Sequence, residues 1–560
     1  MAPSEFFVRY TGPRLFPEEP FRQWMHALVR AGVFLGIALL FFSFEFSTVG
    51  DAEIQLLLSG VSLDTAPNGQ VPHLHFFWGR ALAWLYGAKG GVAWFGLLLC
   101  MAHWLGIAAA WLALQRIGGG AWRSGMFWLA MFFLEWPFLQ QLQLSTSAFV
   151  LAQGSLLLLR TSDESDRRSW QGFGISGALF AGAALLYWEA AFLSALIALP
   201  LFLVRETDRW APRVMLAALL LALPFLVGLS DFWLDNGSDP TASGVRSALL
   251  EYRDPRYAWT PDNAPRFVQA GWSENDYRLY QAGFAADTSV FGDRSLIRLK
   301  EAMASAEATP LSVRMDRGLD VLRQMPPAVE RCCLLFLLLV PAVPAEEKRR
   351  RALALTILSA LAVAWVLSGW FRLPDHLFVP ISAWPVLAGL WLTPPLQIFG
   401  GCNRIFVTLV ALWCSFYGVR TAKEGSRGTL AEYRRWRTSL ERLDPRTDRL
   451  YLTTGDYHLR TVLPLKRPGD PLIARFMALN AGPLSAGPQW DGQLASFGIR
   501  NLHREIAERP DVLWLLPTSA EEFRRLYETF LSEHYGIQAQ LISEWEDPST
   551  GMAAWRVQKK

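Results

Sequence analysis

The stretch WMHALVRAGVFLGIALLFFSFEF (residues 24–46), followed at once by STVGDAE (residues 47–53), decides how this chain is organised. An apolar run of this length can cross the hydrocarbon core of a bilayer as a helix. Two carboxylates, Asp51 and Glu53, then stand at the mouth of that helix. An ionisable residue at this depth is costly unless it is paired or functional, so the acidic pair is a hypothesis for a functional site.

A second polar group follows shortly afterwards, within TAPNGQVPHLHFFWGRALAWLYG (residues 65–87). It contains His73, His75 and Arg80. Carboxylates, imidazoles and a guanidinium are therefore expected together on one side of one membrane.

The composition sets the class of protein. Hydrophobic residues make up 52% of the chain, with 25 Trp and 36 Phe, and charged residues only 18%, which exceeds what a soluble core needs and indicates a polytopic membrane protein. The net charge is +3, and basic residues form short clusters between apolar runs, which argues against a nucleic-acid partner. The five cysteines lie in or beside apolar runs, so neither a disulfide framework nor a CxxC metal site is implied.

The apolar runs predict a mainly α-helical polytopic membrane protein with about eleven transmembrane helices. We place the spans near residues 25–47, 91–116, 122–139, 146–160, 171–187, 190–204, 214–234, 330–345, 352–370, 377–393 and 405–419. The first run lacks a small-residue cleavage site after it and is interpreted as a retained helix.

The positions of arginine and lysine predict the topology, because cytoplasmic connections are enriched in these residues. Residues 1–24 are expected in the cytoplasm, and residues 25–419 form the transmembrane domain with outer loops at 48–90 and 235–329. Residues 420–560 are expected outside, as a small α/β domain with strands near 450–453, 512–516 and 553–557 and a helix near 521–534. The predicted location is the bacterial inner membrane, with the site and this domain on the extracytoplasmic side.

This arrangement resembles the GT-C superfamily of membrane glycosyltransferases. Asp51 and Glu53 occupy the position of the family's acidic motif in the first outer loop, and residues 372–376 (RLPDH) resemble a late outer loop whose basic residues meet a lipid-linked phosphate. The resemblance implies transfer of a sugar from a polyprenyl-phosphate-linked donor to a glycan, lipid or protein acceptor on the outer face of the membrane. It identifies neither the subfamily nor the sugar.

Within this resemblance, Asp51 is the candidate base for the acceptor hydroxyl, because glycosyl transfer needs a group that removes that proton. The alternative is that Asp51 caps a helix that begins near Ala52, since Asp is a favoured N-cap residue. Glu53, His73 and His75 complete the candidate catalytic set. Asp51, Glu53 and His75 could also hold a divalent cation, Mg²⁺ or Mn²⁺, at the donor phosphate. A structural role for one of the histidines stays open.

Further candidates for substrate binding lie along the chain. Arg80 is expected to face a phosphate or a carboxylate, with pairing to Glu53 as the alternative. Gln140 and Gln143 suit sugar hydroxyls, and an ordinary polar turn is the alternative for them.

Three more candidates for substrate binding follow. Glu189 lies in a tight connection between two apolar runs. Arg372 and His376 could present positive charge to the donor phosphate, whereas a snorkelling arginine is the competing interpretation.

Two other functional classes remain open. A polysaccharide polymerase or ligase would use arginines of the large outer loop, and the loop contains Arg246, Arg253, Arg256 and Arg266. A secondary transporter is disfavoured, because the polar groups gather at one face rather than at the midplane and no internal repeat is evident.

Overall fold

The computed structural model describes residues 20–47, 49–61, 66–71, 73–118, 121–162, 169–204, 211–234, 242, 245, 248–249, 257–304, 311–323, 346–370, 375–392, 401–443, 449–453, 462–466, 468, 476–478, 494–495 and 497–560. The predicted span at 330–345, Arg372, and the loop arginines Arg246, Arg253 and Arg256 lie outside these residues.

The amino-terminal part is a bundle of helices. In chain order these are α1 (Pro20–Phe41), α2 (Val49–Ser59), α3 (Phe76–Ala88), α4 (Trp94–Arg116), α5 (Ala121–Gln140), α6 (Leu144–Ser162), α7 (Ser169–Leu186), α8 (Trp188–Leu203) and α9 (Ala211–Leu234). Two short strands, β1 (Glu45–Phe46) and β2 (Gln141–Leu142), pair in parallel. They connect the segment just before α2 with the segment just before α6.

Eight further helices follow in the described part of the chain. They are α10 (Ala264–Ala270), α11 (Glu274–Gln281), α12 (Thr288–Phe291), α13 (Asp293–Met303), α14 (Leu311–Arg323), α15 (Glu347–Trp370), α16 (Asp375–Leu392) and α17 (Gly401–Arg442).

Four of the described helices are long and apolar enough to cross a membrane, judged by length and composition. They contain Arg22–Phe41, Trp94–Arg116, Val214–Asp231 and Glu347–Gly369, and shorter apolar helices lie at Phe173–Leu186, Trp188–Leu203 and Leu377–Leu392. These helices support the prediction of an integral membrane protein. The predicted number of about eleven spans is not confirmed, since several apolar runs form helices shorter than a bilayer requires.

Helices α4 and α6 cross at unusually short distance. A methyl group on Gly154 would lie 2.0 Å from the Gly106 carbonyl oxygen, and one on Gly106 would lie 2.5 Å from the Val150 carbonyl oxygen. Glycine at both positions lets the two backbones touch. Side chains one turn away, including His103 and Ser147, are thereby brought into contact.

Helix α17 continues far beyond the predicted span at 405–419. With 42 residues it is about 63 Å long, roughly twice the hydrocarbon core of a bilayer. The predicted domain boundary at residue 420 therefore falls inside a continuous helix. Its far end carries Trp436 and Leu440, which pack against Tyr451 and Leu513 of the carboxyl-terminal sheet.

The small carboxyl-terminal α/β domain is present as predicted. Its five strands, β3 (Leu450–Thr453), β4 (Phe476–Ala478), β5 (Val512–Pro517), β6 (Ala539–Asp547) and β7 (Met552–Lys559), are arranged in the order β4-β3-β5-β7-β6. Strand β3 is parallel to β4 and β5, whereas β7 is antiparallel to both of its neighbours. After the short helix α18 (Leu502–Glu505), helix α19 (Glu521–Tyr535) packs its apolar side on the sheet.

Residues 257–304 of the predicted outer loop share the core of this domain. Phe284 contacts the rings of Trp514, Tyr527 and Phe530, and Phe291 stacks on Phe530. The aromatic residues spread along this loop thus serve to pack it on the domain formed more than 200 residues later. The same face carries the ion pair between Asp276 and His534, 2.8 Å apart.

Candidate functional site

Asp51 lies where the amino-terminal ends of α2 and α6 meet. Helix α2 begins at Val49, so Asp51 is in its first turn, and the alternative that it caps a helix starting near Ala52 is wrong. The side chain is 4% exposed, and its Oδ1 accepts a hydrogen bond from the Leu144 N–H at 3.1 Å. Strand β1 pairs with β2, and the Ser47 N–H donates to the Leu142 oxygen at 3.0 Å. These contacts hold the start of α2 close to the start of α6. The amino-terminal end of α6 therefore stabilises negative charge on Asp51.

Three residues close in sequence to Asp51 or Leu144 have buried polar atoms without a partner in the described part of the chain. Gln143 and Ser145 flank Leu144, and Gln55 lies one turn along α2 from Asp51. Gln143 Oε1, Ser145 Oγ and Gln55 Oε1 are all buried and have no hydrogen-bond partner within the described part of the chain. An unsatisfied buried polar group costs about 1–3 kcal/mol, so three of them beside a carboxylate indicate a place for a polar ligand.

Glu53 is buried on α2 but does not point the same way as Asp51. Residues two apart on a helix face different directions. Among the described residues, the donor atoms of Asp51, Glu53 and His75 do not gather within 4.8 Å of one another as a metal-ligand group would. The predicted ligand set therefore does not fit a divalent cation, and no step proposed below uses one.

His73 and His75 have separate roles, because the chain between them is not extended. His73 is exposed and has a φ of 64°, in the left-handed region. His75 is buried and caps α3, with Nδ1 accepting from the Phe77 N–H at 3.2 Å. His75 therefore caps a helix, which is a structural role for one of the two histidines.

The second nitrogen of His75 is also occupied. The Ser230 hydroxyl donates to the Val227 oxygen at 2.7 Å, so its Oγ accepts from Nε2 of His75 at 3.2 Å. Burial lowers the pKa of His75, although the charge of Asp231 opposes that shift. His75 is therefore held neutral with its hydrogen on Nε2.

Asp231 was missed by the sequence reasoning. Its Oδ1 accepts from the Phe76 N–H at 3.1 Å, so it caps α3 together with His75. It is the single acidic residue in the apolar helix α9, and that position was the signal that could have revealed it.

Two further candidates, Arg80 and Gln140, have other contacts on α3 and α5. Arg80 is exposed, with its guanidinium 4.4 Å from the centre of the Phe76 ring, and it forms no ion pair with Glu53. Gln140 ends α5 and faces α17, since a methyl group on Gly425 would lie 3.6 Å from its Oε1. Of the two predicted glutamines, Gln143 is the one beside Asp51.

The remaining candidates are on later helices. Glu189 lies half-buried in the first turn of α8. The ring of the preceding Trp188 packs on Gly228 of α9, near the end of α9 that carries the cap of α3. His376 lies in α16, but its side chain, like all of Arg372, is outside the described part.

A cluster inside the bundle was also missed. His103 on α4 contacts Glu135 on α5 through Nδ1, and its Nε2 is 3.0 Å from Ser147 Oγ on α6. His103 and Ser147 are 0% exposed and Glu135 3%. A lone imidazole in an apolar span was the available signal.

A segment from the carboxyl-terminal part of the chain covers α2. Val462 packs against Ala52 and Leu56, and the Leu463 oxygen accepts from Gln55 Nε2 at 3.3 Å. Pro464 lies so close to α4 that a methyl group on Gly96 would be 1.8 Å from its oxygen. We call residues 462–466 the covering segment.

Comparison with known proteins gives a distant similarity. No model of a known protein family matches the chain, and no curated protein matches it. Two crystal structures of ArnT from Cupriavidus metallidurans are similar, one bound to undecaprenyl phosphate (16% identity, TM-score 0.40) and one in the apo state (15% identity, TM-score 0.39). Each comparison covers 95% of this chain and 97% of that chain. Scores and identities this low transfer neither substrate nor mechanism to this chain.

Proposed function

We propose that this protein is a membrane glycosyltransferase that moves a sugar from a polyprenyl-phosphate-linked donor to a glycan, lipid or protein acceptor at the outer face of a bacterial inner membrane. One observation carries the proposal. A buried carboxylate, Asp51, accepts a hydrogen bond from the Leu144 N–H at the start of α6, and the residues on either side of Leu144, Gln143 and Ser145, have buried oxygens without a partner in the described part of the chain. The position of Asp51 and Glu53 after the first span, as in the GT-C superfamily, supports the same reaction.

The proposed reaction is a substitution at the anomeric carbon. Asp51 accepts the proton of the acceptor hydroxyl while the acceptor oxygen bonds to the anomeric carbon. The bond between that carbon and the phosphate oxygen breaks, and polyprenyl phosphate leaves with both electrons of that bond. Asp51 must be ionised before it can accept this proton. The amino-terminal end of α6 favours the ionised state.

The surrounding groups suit the substrates. Amide and hydroxyl oxygens at Gln143, Ser145 and Gln55 can accept hydrogen bonds from sugar hydroxyls. Arg372 and His376 remain the proposed contacts of the donor phosphate, on sequence grounds. The exposed apolar faces of the bundle helices provide a surface for the polyprenyl chain.

The experiment uses the purified full chain in lipid vesicles. Polyprenyl-phosphate-linked sugars extracted from membranes of the expression host are added with a cell-envelope acceptor fraction, and lipids are followed by mass spectrometry. The proposal expects loss of the sugar-linked lipid and formation of free polyprenyl phosphate. Movement of intact sugar-linked lipid between leaflets without cleavage would indicate a transporter and overturn the proposal.

A further inference from the structure

One peptide group links Asp51 to the interior of the bundle. The Leu144 N–H that donates to Asp51 belongs to the same peptide unit as the Gln143 carbonyl. That carbonyl accepts from the Ser147 hydroxyl at 2.8 Å, the Thr146 hydroxyl at 3.1 Å and the Ser147 N–H at 3.0 Å. Donors on the oxygen polarise the peptide and strengthen its N–H as a donor.

The hydrogen bonds have one direction along this path. The single hydroxyl hydrogen of Ser147 is given to the Gln143 carbonyl, so Ser147 Oγ accepts from Nε2 of His103. The other ring nitrogen, Nδ1, shares a hydrogen with the Glu135 carboxyl group. The path therefore runs from the peptide through Ser147 and the His103 ring to Glu135.

Burial makes this path electrostatically strong but excludes direct chemistry. His103 and Ser147 are fully buried, so neither can touch a substrate. Hydrogen bonds along a buried path polarise one another strongly because little water screens them.

We propose that Ser147, His103 and Glu135 are positioning residues that orient the Gln143–Leu144 peptide toward Asp51 and stabilise the ionised carboxylate. The inference rests on the proposed function in assigning Asp51 as the base. The network acts through the peptide alone, and the close crossing of α4 and α6 at Gly106 and Gly154 holds its members in reach.

The test is a titration of Asp51 that needs neither donor nor acceptor. The infrared band of the protonated Asp51 carboxyl is obtained for each protein by subtracting the spectrum of the same protein carrying Asp51→Asn. Ser147→Ala and Glu135→Gln are compared with the wild type. Ser155→Ala is the matched control, because Ser155 is equally buried on α6 and its hydroxyl bonds only to the Ala152 oxygen, at 2.8 Å.

Other titratable groups on α2 and on the elements packed against it are the same in all these proteins. Besides His103, which belongs to the tested path, they are Glu45, Glu53, His75, Arg80, Tyr86, Cys100, Arg116 and Lys466. Their contribution to the midpoint therefore cancels in the comparison.

The proposal expects the midpoint of Asp51 titration to rise by roughly half a pH unit in Ser147→Ala and in Glu135→Gln, and to stay unchanged in Ser155→Ala. Equal midpoints in all four proteins would overturn it, as would an equal rise in Ser155→Ala. Glu135→Gln keeps the shape of the side chain and removes its acidic group, so a purely structural role predicts no shift. If the wild type transferred no sugar, the proposed function would be overturned. The titration would still test whether Ser147 and Glu135 stabilise the ionised Asp51 carboxylate.

Discussion

Replacing Gly96 by alanine should release the covering segment from α2. The added methyl group would lie 1.8 Å from the Pro464 oxygen and 2.5 Å from the Pro464 carbonyl carbon, so the backbone must separate by more than an ångström. Separation breaks the hydrogen bond from Gln55 to the Leu463 oxygen, worth about 1 kcal/mol. It also exposes Val462, at a cost of about 1.5 kcal/mol or more.

The sum is about 2.5 kcal/mol. It corresponds to a roughly 50- to 100-fold larger population of protein in which the covering segment has moved away from α2. The assay is the rate of thiol labelling at Leu463→Cys in purified protein that lacks the native cysteines. Gly36→Ala is the control, since a methyl group there meets nothing within 4 Å. Equal labelling rates in Gly96→Ala and Gly36→Ala would refute the close contact between α4 and the covering segment.

Three further predictions concern the crossing of α4 and α6, the core of the carboxyl-terminal domain and the proposed phosphate contact. Gly154→Ala should lower the thermal unfolding temperature and the yield of folded protein, because its methyl group would lie 2.0 Å from the Gly106 oxygen, whereas Gly177→Ala, with open space around it, should not. Burial lowers the pKa of His503 to about 4 from an ordinary 6.5, so the neutral imidazole favours the folded state above pH 6.5 and up to about 3 kcal/mol of stability is lost as the pH falls toward 4. His503→Gln should flatten that loss in acid unfolding curves of the full chain, and an unchanged curve would contradict the assignment. Arg372→Lys should impair donor turnover nearly as much as Arg372→Ala, because an ammonium cannot reproduce forked hydrogen bonds to phosphate, and near-normal turnover of the lysine variant would remove Arg372 from the site.

The elements of the carboxyl-terminal domain could be predicted because their signals are local. The strands at 512–516 and 553–557 are apolar runs of strand length, and Glu521–Tyr535 has helical spacing. The end of α17 could not be placed, because the sequence turns polar at residue 420 while the helix continues. A polar helix leaving a membrane and a new domain have the same composition at that point.

The site could be predicted only where its signals are local in the sequence. Asp51 stands out as a carboxylate after an apolar run, but its partner Leu144 is 93 residues away and contributes only a backbone N–H. His73, two residues before the helix cap His75, has a left-handed backbone that no side-chain pattern indicates. The contact of His103 with Ser147 forms where two glycines let α4 and α6 touch, and sequence spacing does not indicate that crossing.

The central claim is that Asp51 is the base that takes the acceptor proton. The most direct measurement is the rate of polyprenyl phosphate release from the sugar-linked donor by Asp51→Asn and wild-type protein in the same vesicles. Asp262→Asn, at an exposed position just before α10, serves as the control. We predict a loss of roughly 10²- to 10⁴-fold for Asp51→Asn, with normal membrane insertion and normal turnover of Asp262→Asn. Turnover of Asp51→Asn within about tenfold of the wild type would contradict the account, because a general base contributes more than that.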